Sequence, residues 1–162
     1  MRKAIPIVFC VLFFILDNAL MPFISIKGTY GSLLFTFVIS YSIINDYGES
    51  AAIGIFSGLL QDLYLFNGIG TNAFTNMLLC LLACKIGKSI FKEKRLIPVL
   101  STLLLNVMKG LMVFAIFFIL GIKMELTSIV ISSLYSMVIS IFMYKKIYKL
   151  YQKPWMKKEW NF

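Results

Sequence analysis

Ile97-Pro-Val-Leu-Ser-Thr-Leu-Leu-Leu-Asn106-Val-Met-Lys109-Gly-Leu-Met-Val-Phe-Ala-Ile-Phe-Phe-Ile-Leu120 carries one ionisable side chain in a run longer than the ~20 apolar residues that cross a bilayer. The rest of the chain has the same character. Of its 162 residues 60% are apolar and 14% charged, far from the mix of a soluble fold, so lipid is the expected solvent. Working outward, five more apolar segments can be drawn: residues 4–21, 30–44, 51–66, 71–86 and 126–144. Those at 30–44, 51–66 and 71–86 fall short of the ~20 residues of an untilted span. Turn chemistry fills the breaks: Pro22 with Gly28, Asn45-Asp46-Tyr47-Gly48, Asn67-Gly68 with Gly70, and Gly121. The expected fold is an all-α integral membrane protein, a bundle of six transmembrane helices in a single membrane domain, 1–162.

The net charge of +9 would suit a nucleic-acid binder if the basic residues formed a patch, but they lie at segment ends. Arg2 and Lys3, five basic residues from Lys85 to Arg95, and six in the tail 145–162 fall on one side if the N-terminus is cytoplasmic. Lys27 and Lys123 are left outside, and Lys109 within a segment. This asymmetry follows the positive-inside rule and requires an even number of crossings, so both termini are expected in the cytoplasm, the protein being multi-pass in the cytoplasmic (inner) membrane. The turn at Asp46 and Glu49 has no basic residue, and a re-entrant second and third segment would leave the remaining topology unchanged. No A-x-A-like cleavage pattern stands near residue 20, so the first segment reads as a retained helix. In the tail, Lys145, Tyr148, Tyr151, Trp155, Lys157, Lys158 and Trp160 interleave charge with aromatic rings, which suits an anchor on anionic lipids better than nucleic acid.

There is no histidine, which removes the commonest metal ligand and the commonest general base together. Cys10, Cys80 and Cys84 lie inside apolar runs, without a CxxC spacing, and read as small buried side chains. Ser57 and Ser101 have no activating partner in view. The chain is therefore not expected to be an enzyme or to hold a metal or cofactor.

Ionisable groups in an apolar segment are costly and mark functional or partner-binding positions by default. Asp17, Asp62 and Lys109 are such groups. Counted from the cytoplasmic end of each helix at ~1.5 Å per residue, they sit at depths of ~20, ~17 and ~18 Å. A shared depth predicts a buried polar cluster in which Lys109 pairs with Asp62, Asp17 or both, helped by Asn18, Gln61 and Asn106. Such a cluster either fixes helix register or serves a partner; a proton path would require a chain of titratable groups that this sequence lacks.

Gly54 and Gly58 form a G-x-x-x-G, a spacing that lets another helix approach closely. The segment runs on as Gly54-Ile-Phe-Ser-Gly58-Leu-Leu-Gln-Asp62-Leu-Tyr-Leu-Phe-Asn-Gly68-Ile-Gly70-Thr-Asn72-Ala-Phe74. This stretch resembles the signature region of the bacterial MreD family, in which a Gly-rich helix ends in G-L-x-x-D and a glycine turn opens the next helix. The matching positions are Gly58, Leu59, Asp62, Gly68, Gly70, Asn72 and Ala73. Chain length and the basic tail agree with the resemblance, whereas Asp17-Asn18 lies outside the family pattern.

The resemblance implies a non-enzymatic membrane scaffold of the cell-elongation machinery. Its partners would be MreC, the actin homologue MreB, RodA and a class B penicillin-binding transpeptidase. It also implies an architecture similar to the substrate-binding subunits of energy-coupling-factor transporters, and a vitamin-binding subunit is the alternative reading. Such subunits show an Ala-x-x-x-Ala pattern on the first helix; here only Ala4 and Ala19 are present. The Gly54/Gly58 face, with Gly68, Gly70 and Asn72 at the following turn, is the expected helix-packing and partner face. The basic loop and tail are the surfaces a cytoplasmic filament would meet, or topology determinants only.

Overall fold

A computed structural model describes residues 4–26, 28–64, 70–89, 96–119, 121 and 126–151. Six α-helices make up almost all of it: α1 Ala4–Ala19, α2 Leu33–Ile44, α3 Tyr47–Tyr64, α4 Thr71–Ser89, α5 Leu96–Ile119 and α6 Leu126–Tyr151. No strand occurs among the described residues. Expected Gly68, Lys27 and Lys123, together with 90–95 of the basic loop and 152–162 of the tail, lie outside them.

Local chemistry sets the helix ends. Pro22 stops α1, and the chain continues as a 3₁₀ turn over Met21–Ile24. Ser32 caps α2, its hydroxyl accepting from the Phe35 amide at 3.0 Å. That cap starts α2 at Leu33 and leaves it 12 residues long, shorter than the expected 30–44. Gly70 adopts φ +96°, a left-handed conformation suited to glycine, immediately before α4. Two boundaries differ more. Tyr47 and Gly48 belong to the first turn of α3 and not to a loop, because the Asp46 carbonyl already accepts from Ser50 at 2.9 Å. Helix α6 continues past Tyr144 to Tyr151, since exposed Lys145 and Lys146 alternate with buried Tyr144 and Ile147 on a continuing amphipathic helix.

Helix α2 is the axis of the fold. It touches all five other helices, and its residues from Leu34 to Ile43 are all buried. Leu34, Phe35, Val38 and Ile39 form the core with Cys10, Leu79, Cys80 and Leu105. Small hydroxyl residues are buried between helices, among them Thr36, Ser40, Ser57, Thr75, Thr102, Ser133, Ser136 and Ser140. Large apolar residues face outward on α1 (Val8, Ile15), α3 (Leu63), α5 (Leu104, Phe118) and α6 (Val138, Phe142). Small polar residues inside and aliphatic ones outside are what lipid demands of packed helices. Pro98–Ile119 and Thr127–Leu150 are each long and apolar enough to cross a membrane, while α1 and α2 are shorter apolar helices.

Glycines sit where backbones meet. Gly54 and Gly58 pack on α4, Gly87 on the Ile43 carbonyl of α2, and Gly110 on Ile129 of α6. The face expected to receive a partner helix is thus taken by the chain's own α4. A side chain at Gly58 would strike the backbone of Ala73 and Asn72, and one at Gly54 would meet the Asn76 carbonyl at 2.9 Å. The G-x-x-x-G spacing brings helices together in either case, and α4, the next helix along the chain, is the one already at hand. Cys10, Cys80 and Cys84 are free and buried.

Candidate functional site

Each of the two buried acids of the apolar segments reaches across to the start of a different helix. Asp17, near the end of α1 and 7% exposed, accepts from the Ser32 hydroxyl at 2.7 Å and from the amides of Leu33 at 2.7 Å and Leu34 at 3.0 Å. These are the orphan donors of α2's first turn, so the carboxylate meets the positive end of that helix. Asp62, near the end of α3 and 5% exposed, does the same for α4. It accepts from the amides of Gly70 at 3.0 Å, Asn72 at 2.9 Å and Ala73 at 3.0 Å, and from the Asn72 side chain at 3.1 Å. Asp–amide bonds of this kind are charge-assisted and satisfy donors that have no water to turn to.

Lys109, from the middle of α5, does not bond to either acid. Its ammonium donates to Gln61 Oε1 at 2.7 Å and stands 4.4 Å from the centre of the Phe35 ring. This replaces the direct ion pair expected from the shared depth, and the reason is competition: the starts of α2 and α4 already engage the carboxylates, Asp17 with three accepted hydrogen bonds and Asp62 with four. Gln61 is the hub. Its Oε1 also accepts from Asn76 at 3.0 Å, and its amide donates to the Ser32 hydroxyl at 3.2 Å. Asn76 in turn donates to Ser57 at 3.2 Å. A network therefore runs from Asp17 through Ser32 and Gln61 to Lys109 on one side and Asn76 on the other.

Asp17, Asn18, Gln61, Asn72, Asn106 and Lys109 line one partly open cavity of about 330 Å³, flanked by Phe14, Phe35 and Val113 and by Ser128 and Ser132 of α6. Asp62 stands behind it, holding Asn72 in place. Asn18 spends its amide on the Phe14 carbonyl at 2.9 Å. Asn106, 8% exposed, has no partner for its side-chain nitrogen among the described residues. Gly54 and Gly58 lie away from the cavity, in the α3–α4 seam. Two members of the network were not singled out from the sequence. Ser32 opens an apolar run, an ordinary N-cap signal, and Asn76 is a polar outlier within an apolar segment like Asn106.

The family model of the rod shape-determining protein MreD matches residues 1–154. The chain belongs to the MreD family. No curated protein and no solved structure matches it. In this MreD-family member, Asp62 ties the two described ends of the stretch that resembles the signature, the end of α3 and the start of α4. The carboxylate needs close amides to accept from, and Gly70 at φ +96° turns the backbone so that its own amide and those of Asn72 and Ala73 converge on it. Gly58 one turn earlier lets α4 come near enough for that convergence.

Asp17 offers a test of the capping role outside the signature. Asp17→Ala is expected to lower stability in detergent by about 2–3 kcal/mol, since three donors lose a charged acceptor in a dry environment. Asp17→Asn should lose less, keeping one acceptor oxygen. Thermal unfolding followed by circular dichroism reads the difference, and equal stability of Asp17→Ala and wild type would contradict the cap.

Proposed function

We propose that the protein is a non-enzymatic membrane scaffold of the bacterial cell-elongation and peptidoglycan-synthesis machinery, binding MreC and linking it to RodA, a class B penicillin-binding transpeptidase and the MreB filament. Membership of the rod shape-determining family supports a role in cell shape. The observation that carries the scaffold reading is the fate of the two buried carboxylates. Asp17 and Asp62 are both committed as helix caps, which is a joining role and not that of a proton carrier or nucleophile. Their work is to join helices.

In this reading the six helices form a bundle in the cytoplasmic membrane, the 12-residue α2 reaching through only part of its thickness, arranged like the substrate-binding subunits of energy-coupling-factor transporters. Both termini lie in the cytoplasm, where the basic loop and tail meet anionic lipids. Gly54 and Gly58 are engaged with α4, so the partner helix must use another face, and the outward aliphatic rows of α1, α5 and α6 supply it. The second reading, a substrate-binding subunit of a vitamin transporter, draws its support from the cavity at Lys109.

Extraction of the tagged protein in mild detergent, followed by mass spectrometry of what co-purifies, separates the two. MreC or a wall synthase is the expected companion. Recovery of an energy-coupling ATPase or a bound vitamin, with MreC absent, would replace the scaffold by the transporter.

A further inference from the structure

The cavity of about 330 Å³ between the start of α2, the end of α3 and the middle of α5 is lined by donors whose capacity is unspent. Lys109 has three N–H groups and, among the described residues, one hydrogen bond, to Gln61. Asn106, three residues before it and hence on the same face of α5, has a side-chain nitrogen that is buried and unpartnered. The acceptors are more heavily used: Asp17, which also lines the cavity, takes three hydrogen bonds from Ser32, Leu33 and Leu34 at the start of α2, and Asp62 takes four from the α4 amides and Asn72. An ammonium with spare donors and an unpartnered amide nitrogen, on two residues that line one partly open cavity, with the nearby carboxylates engaged by the starts of α2 and α4, call for an acceptor from outside the chain.

We propose that this cavity is a binding site for an oxyanion, a phosphate or carboxylate group, held by Lys109 and Asn106. Its volume suits a small ligand or the headgroup of an amphiphile. Gln61 positions the ammonium, Phe35 covers it, and Asn106 supplies the second donor. This site is independent of partner binding, and its test does not depend on whether MreC co-purifies.

Melting curves of the purified full-length protein in a neutral maltoside detergent provide the test, with n-dodecyl phosphate, dodecanoate, inorganic phosphate and the uncharged dodecyl glucoside as probes. The expected result is a rise in melting temperature with an anionic probe and none with the glucoside. Asn106→Leu should weaken the apparent affinity roughly tenfold and Lys109→Met by roughly tenfold to a hundredfold, from the strength of neutral and charged hydrogen bonds. Asn106→Leu keeps the test decisive if Lys109→Met does not fold, because the Asn106 nitrogen has no hydrogen-bond partner among the described residues. A response to dodecyl phosphate or dodecanoate but not to inorganic phosphate identifies an amphiphile headgroup. A response to inorganic phosphate as well identifies a free oxyanion. No anion-dependent rise, or an undiminished rise in Asn106→Leu, overturns the proposal.

Discussion

Replacing Asp62 with alanine is expected to cost about 3–5 kcal/mol, which would consume a large part of the stability of a domain this size. The carboxylate accepts four hydrogen bonds, three from backbone amides at the start of α4. Without it, Gly70, Asn72 and Ala73 keep their donors in a place where water is scarce, and leaving such donors unpaired is the expensive outcome. Asn72, which lines the cavity, also loses its anchor. Asp62→Asn should fall between the two, because one of its two acceptor atoms becomes a donor facing donors. Denaturant titration in detergent checks the order wild type, asparagine, alanine. Equal midpoints would show that α4 starts without help from α3.

Gly58→Leu should be as damaging, at about 3 kcal/mol or more, by a steric route. The added Cβ would run into the backbone of Ala73 and the Asn72 carbonyl, which are not flexible tips that can swing aside. The pair α3 and α4 is the most extensive helix contact in the fold, so separating it also pulls Asp62 from the amides it caps. Loss of MreC binding in this variant would therefore come with loss of the fold, and would not map a partner face. Gly48→Ala is the control: nothing stands within 4 Å of the position its Cβ would take, and a helical glycine replaced by alanine should gain up to about 1 kcal/mol. Size-exclusion profiles in detergent should show an aggregated Gly58→Leu beside a monodisperse Gly48→Ala.

Both predictions concern residues that stood out in the sequence for reasons only partly matching what they do. Asp62 and Lys109 were conspicuous because charge is costly in an apolar run, and their level along the helix axis could be counted from the ends. Their bonding could not. A cap is ordinarily sought in the residue just before a helix, whereas Asp17 caps a helix that opens sixteen positions later, at Leu33, and Asp62 reaches amides eight to eleven positions on. Opposite charges suggested an ion pair, but a pattern of residues does not reveal that helix amides have the prior claim. Gly54 and Gly58 were readable as a close-packing face, and which helix fills that face is a property of the tertiary fold. The extension of α6 was missed because Lys145 and Lys146 read as the start of a tail, although the apolar side of the helix persists beyond them. The helix count was legible, since each apolar segment corresponds to one helix.

The short length of α2 has a consequence of its own. At ~1.5 Å per residue it rises ~18 Å, against ~36 Å for α5, yet it stands at the centre of the others. A low post inside a taller palisade leaves a well above its top, and the well is where Ser32, Asp17 and Gln61 meet. The costly side chains gather in that shaft, behind the outward aliphatic rows, and are sheltered from hydrocarbon by architecture. Lengthening α2 by one turn at its N-terminal end would plug the shaft while leaving the lipid-facing perimeter untouched.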